Sequence, residues 1–153
     1  MVSLVLALVV AAASAAPAGN DLSYFAGSWN CTGTFANGRP ISSTLTFDSS
    51  LTGKGVILRQ DDVPPNAYHA AALWGPAADG SLVSEIQDVT GGMRRFTSSG
   101  WSAGSLTWAS APEITPANRF VYTWLDASTM RVDWEVQVSG TYKVGDTLHC
   151  TRR

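Results

Sequence analysis

From residue 27 onward, apolar and polar side chains alternate with a period of two. Trp29, Cys31, Gly33 and Phe35 fall on one side of a segment, and Ser28, Asn30, Thr32 and Thr34 on the other. Ile41, Ser43, Leu45 and Phe47 alternate with Ser42, Thr44, Thr46 and Asp48. Phe120, Tyr122 and Trp124 stand opposite Val121, Thr123 and Leu125. Met130, Val132, Trp134, Val136 and Val138 stand opposite Arg131, Asp133, Glu135 and Gln137. Successive side chains of a strand point to opposite faces, so each row marks a half-buried antiparallel strand.

The punctuation agrees. Asn37-Gly38, Thr52-Gly53, Asp79-Gly80, Gly91-Gly92, Ala103-Gly104, Asp126-Ala127 and Gly145-Asp146 recur at hairpin intervals, and Pro64-Pro65 closes a further run. About ten strands follow, near 27–36, 41–48, 54–62, 67–75, 81–89, 92–98, 105–109, 118–126, 129–139 and 141–152. Asp21 to Phe25 reads as a single helical turn closing one end.

Many short strands joined by tight turns make a barrel or a sandwich. The two cysteines bear on the choice. An even pair in an oxidising compartment suggests a disulfide between Cys31 and Cys150; the alternative is two separately buried thiols. Trp29 and Cys31 share a face of the first strand, and Leu148, Cys150 and Arg152 share a face of the last. A bridge would make these strands neighbours, and a sheet whose first and last strands pair is a closed barrel without edges. The expected fold is therefore all-β: a single antiparallel up-and-down barrel.

The chain has 153 residues, a formal net charge of −2 and 14% charged residues. That is one domain with enough surface for a core. It offers no basic stripe for nucleic acid and no polybasic patch for anionic lipid. Leu4 to Ala13 is an apolar run too short to span a bilayer. It ends at Ala13-Ser14-Ala15, an A-x-A cleavage pattern, with Ala16-Pro17-Ala18 as a second candidate. Residues 1–18 thus read as a signal peptide without a basic n-region, and residues 19–153 as the barrel domain, of about 135–138 residues depending on the cut. The alternative is an uncleaved anchor or a mis-assigned start. On the main reading the protein is secreted or periplasmic, and the mature chain has no membrane span. Two cysteines and two histidines are too few for a closed zinc site, so no metal is expected. Asn30-Cys31-Thr32 matches the N-glycosylation pattern, but inside a strand and around the bridging cysteine.

Gly27-Ser28-Trp29 on the first strand resembles the Gly-x-Trp signature of the calycin superfamily, which includes lipocalins, fatty-acid-binding proteins and nitrobindin-like haem proteins. The stretches from Leu22 to Trp29 and from Ala67 to Gly75 are similar to a group of uncharacterised bacterial proteins (DUF1579-like). The resemblance implies a calycin-like barrel in which a basic residue of the last strand, here Arg152, packs across Trp29 at the closed end. It implies ligand binding and no particular reaction. A nitrobindin-type haem site is not expected, because His149 alternates against Leu148 and Cys150. A fatty-acid carboxylate clamp is not expected either, because Arg119 and Tyr122 have the wrong spacing. No cofactor is assigned.

Chemistry is sought where the central strands are polar. Arg59, Gln60, Asp61 and Asp62 end one strand, Tyr68 and His69 begin the next, and Glu85, Gln87, Asp88, Arg94 and Arg95 follow. Asp61 and Asp62 point to opposite faces and read as a solvated approach to the loop at Pro64-Pro65. The candidate ligand-binding residues are Arg59, Tyr68, His69, Trp74, Asp88, Arg94 and Trp101, with the small residues Ala70 and Ala72 leaving room beneath the aromatics. Arginine would meet an anionic head group and the aromatics an apolar body. The expected partner is a small hydrophobic or amphipathic molecule. Two alternatives stay open: an enzyme using His69 or Tyr68 as its acid–base group, and an interaction or envelope module with a filled barrel.

Overall fold

The computed structural model describes residues 15–153. The apolar run of the expected signal peptide lies outside the described residues. Residues 15–18 carry no regular structure, and the first tie to the barrel is Gly19, whose carbonyl accepts the Trp101 amide at 2.8 Å.

Eleven strands follow: β1 (Gly27–Phe35), β2 (Pro40–Ser49), β3 (Val56–Asp62), β4 (His69–Pro76), β5 (Leu82–Asp88), β6 (Met93–Ser98), β7 (Trp101–Ser102), β8 (Ser105–Ser110), β9 (Asn118–Trp124), β10 (Thr129–Val138) and β11 (Thr141–Arg152). Except for β6 and β7, neighbours in sequence are neighbours in the sheet; β1 pairs with β11, and β6 pairs with β8. Ten strands therefore close an antiparallel up-and-down barrel, and the two-residue β7 only lengthens the hairpin into β8.

The expected strands coincide with the observed ones to within a few residues. The one misread turn is Gly145-Asp146, which lies inside β11. The β10–β11 hairpin turns at Ser139 and Gly140, both with positive φ, where the expected strands 129–139 and 141–152 meet. The misread pair lies at a register shift between Trp134 and Glu135. A Cβ on Gly145 would lie 2.3 Å from the Trp134 ring. Glycine stands there because an indole occupies its space, rather than because the chain turns.

The alternation sets the interior. Trp29, Leu45, Phe47, Leu58, Trp74, Leu82, Phe96, Leu106, Trp108 and Met130 all point inward and are buried. One end is sealed by a 3-10 turn, Ser23–Phe25. Its Phe25 ring is fully buried and packs against Phe47, Trp74, Trp101 and Tyr122 at centroid distances of 5.1, 5.2, 5.4 and 5.4 Å. Arg152 fastens this plug: its guanidinium lies 4.2 Å over the Trp29 ring and donates to the carbonyls of Tyr24 and Ala26. Trp29 Nε1 donates to the Phe25 carbonyl at 2.8 Å. Cys31 and Cys150 are direct partners across β1 and β11 and form a disulfide inside the barrel.

Candidate functional site

The half of the barrel away from the plug is not filled. It holds a cavity of about 280 Å³ toward the end that carries the β1–β2, β3–β4 and β5–β6 connections. Tyr122 forms its floor, because it touches both the Phe25 and Trp74 rings below and the cavity above. Phe35, Ile41, Phe120, Val132, Trp134 and Leu148 supply an apolar wall. Gln60, Asp62, Tyr68, Asp88, Thr90, Arg94 and Asp146 supply the polar one.

Strand parity explains each placement. On β3, Leu58, Gln60 and Asp62 face in while Arg59 and Asp61 are exposed. On β4, Ala70, Ala72 and Trp74 face in while His69, Ala71 and Leu73 are exposed or partly so. On β5 and β6, Asp88 and Arg94 face in, and they meet across the turn that joins those strands. On β11, Asp146 shares the inner face with Leu148 and Cys150.

Of the residues singled out in the sequence, Tyr68, Asp88 and Arg94 come together at the cavity. Asp88 Oδ2 accepts from the Arg94 guanidinium and, at 3.1 Å, from the Tyr68 hydroxyl; Oδ1 accepts from the Thr90 hydroxyl and amide. Burial pushes the Asp88 carboxyl up, but these hydrogen bonds and the Arg94 charge outweigh it and hold it below the usual carboxylate range. Tyr68 is pushed up, first by burial and then by the Asp88 charge, so its hydroxyl is a donor rather than a base. Arg94 Nε is buried without a hydrogen-bond partner.

The other four lie elsewhere. Arg59 and His69 are on the outer face, where His69 Nδ1 is 2.8 Å from Asp61 Oδ1. Trp74 is deep in the packed half, 4.9 Å from the Trp108 ring. Trp101 belongs to the plug, with Nε1 donating to the Asp21 carbonyl. Ala70 and Ala72 face inward, yet the space beneath them belongs to the packed core. Neither histidine faces the cavity, since His149 is exposed on β11. The cavity thus offers no imidazole to an iron or to a proton transfer. Among the described residues no three potential metal ligands converge.

Two of the three cavity carboxylates are not among the candidates read from the sequence. Asp62 was expected in a solvated approach to a loop; it is 7% exposed and lies on the inner face. Pairing of β3 with β2 extends to Ser43↔Asp62, so the Leu58–Gln60–Asp62 parity carries it inward. Asp146 was hidden by its reading as a turn residue, although it shares parity with Leu148 and Cys150. Its carboxyl is pushed up to about 6, first by burial, then by the charges of Asp62 and Asp133.

No family model and no curated protein matches the sequence, so the likeness to the uncharacterised bacterial group rests on the residues quoted for it alone. Among solved structures, Rv2717c from M. tuberculosis is 14% identical, with 86% of this chain and 94% of that one covered and a TM-score of 0.59. Two further barrels are also similar. A de novo designed fluorescence-activating β-barrel is 11% identical over 88% of this chain and 98% of its own, at a TM-score of 0.48. EF1p2_mFAP2b bound to DFHBI is 10% identical over 88% and 98%, at 0.49. At these identities the likeness is one of fold.

Proposed function

We propose that this is a secreted or periplasmic calycin-like barrel that binds a compact amphipathic molecule in the open half of its interior. The carrying observation is the cavity itself. A barrel whose one half is packed with aromatic rings keeps a space of about 280 Å³ in the other, walled on one side by apolar groups and on the other by convergent polar ones. An engineered apolar cavity of about 150 Å³ holds one benzene ring, so this space suits a body of one or two rings. The Arg152–Trp29 contact at the plugged end supports the calycin kinship. The interior disulfide and the apolar run from Leu4 to Ala13 support a location outside the cytoplasm.

Native mass spectrometry of the protein purified from its own host tests the binding. The expected result is a non-covalent adduct that denaturation removes. It should be absent from a Val132→Phe variant, in which a ring fills the cavity while the barrel stays folded. A bare mass for the wild type under gentle conditions would overturn the reading and favour an interaction module.

A further inference from the structure

The cavity is one-sided in charge. Three carboxylates, Asp62, Asp88 and Asp146, and one guanidinium, Arg94, line it. Arg94 is bound to Asp88, which leaves Asp62 and Asp146 in no ion pair among the described residues. Asp62 is 7% exposed, and its one side-chain hydrogen bond, from Gln60 Nε2 to Oδ1, is long at 3.3 Å. Its other oxygen accepts none. Two desolvated carboxylates that repel each other are costly unless something positive lies near both. The same cavity presents the rings of Phe35, Phe120 and Trp134, and aromatic faces attract cations as well as apolar surface. Among the described residues no three acids, histidines or cysteines converge as on a metal ion, and two carboxylates are fewer oxygen ligands than a dehydrated metal ion takes.

We infer that the occupant of this cavity is an organic cation, a primary or secondary ammonium on a body of one or two rings. Its N–H groups donate to Asp62 and Asp146, and its rings lie against Phe120 and Trp134. This rests on the ligand-binding reading above and fixes the sign of the ligand's charge. It reverses the anionic head group expected for Arg94. That guanidinium is already paired with Asp88, and an anion at its free Nε would face two further carboxylates.

The groups around Asp146 make the binding pH-dependent. Asp62 faces it from β3 and Asp133 from β10, the latter held by Arg131. Tyr122 stands on β9, and the Asp88–Arg94 pair joins from β5 and β6. β1 contributes Phe35, over whose ring lies the exposed Arg39 at 4.2 Å. With its carboxyl pushed up to about 6, Asp146 loses its charge as the pH falls from 7.5 to 5. An ammonium keeps its own, so its affinity weakens over that range.

Isothermal titration calorimetry with three matched probes tests the inference: tryptamine, the neutral tryptophol and the anionic indole-3-propionate. At pH 7.5 tryptamine should bind roughly tenfold or more tightly than either. The advantage should shrink at pH 5 and largely vanish in the Asp62→Asn/Asp146→Asn double variant. The comparison on the wild-type protein decides the matter even if that variant does not fold. Equal or tighter binding of tryptophol or indole-3-propionate overturns the charge assignment and leaves the ligand-binding reading standing. Absence of binding by all three also overturns it, and the ligand-binding reading then depends on the native mass alone. A host-derived adduct without a basic nitrogen overturns the charge assignment while proving the cavity occupied.

Discussion

At the residue scale, Asp146 sets function against stability. Its carboxyl moves from an ordinary 3.8 to about 6 on folding, chiefly because burial penalises its charge. The folded state therefore holds its proton more tightly than the unfolded chain. Between about pH 4 and 6 the folded protein carries more protons, so this group's contribution to stability falls as pH rises, and the penalty is complete above pH 6. A shift of about two units corresponds to roughly 2–3 kcal/mol. Asp146→Asn removes the charge without changing the shape. Urea unfolding should show the variant gaining about 2–3 kcal/mol over the wild type at pH 7.5, relative to their difference at pH 4. An unchanged difference at the two pH values would show that Asp146 is solvated. A carboxylate kept at such a cost is what a binding site looks like when its ligand is absent. Asp88 behaves oppositely, because four donors surround its oxygens. Both residues sit on an inner face, and their difference could not be read from alternation. It depends on which partners a closed barrel brings from strands far apart in sequence.

At the element scale, the strands were legible because each carries its own period, and its hydrogen-bonded neighbours are next in sequence. What remained hidden was where the ladder shifts. The bulge at Gly145, opposite Trp134 and Glu135, is a two-strand property, and Gly-Asp in isolation is a turn signal. Two glycines make the same point by contrast. Gly33 sits in β1 where a Cβ would lie 1.8 Å from the Thr147 carbonyl oxygen and 2.9 Å from the Leu148 Cα. Both are backbone atoms, so no side-chain rotation relieves the clash, and β1 must move off β11. Gly33→Ala should cost about 2–3 kcal/mol, the usual scale of overpacking, measured by chemical unfolding. Gly75 in β4 has nothing within 4 Å of such a Cβ, and Gly75→Ala should change stability by less than about 0.5 kcal/mol. Equal costs would mean that the β1–β11 seam is looser than the register implies.

At the scale of the whole molecule, the barrel is closed by two seams of unequal strength. Seven residue pairs from Trp29↔Arg152 to Phe35↔Asp146 join β1 to β11, and the Cys31–Cys150 disulfide lies within that ladder. The seam between β6 and β8 has two pairs, Phe96↔Ser110 and Thr97↔Ala109, extended by the Ala111 amide to the Arg95 carbonyl at 2.9 Å. Beyond that point the first residues of β6 face the β8–β9 connection, and Arg94, which lines the cavity, is among them. A short ladder opens at lower free energy than a long one, and ligand-binding regions are drawn from the low-stability end of a fold. Hydrogen exchange should therefore find the β6 and β8 amides at this seam exchanging well before those of β1 and β11. Removing the disulfide by a Cys31→Ala/Cys150→Ala change would lower global stability by up to about 5 kcal/mol on chain-entropy grounds. It should leave the order of exchange unchanged, because the β1–β11 hydrogen bonds remain. A bound cation touching Asp62 and Asp146 alone rests on β3 and β11 and should not slow exchange selectively at β6 and β8. A ligand that also engages the free Nε of Arg94 would slow exchange selectively at β6 and β8, and would tie the weaker seam to the cavity as its route of access.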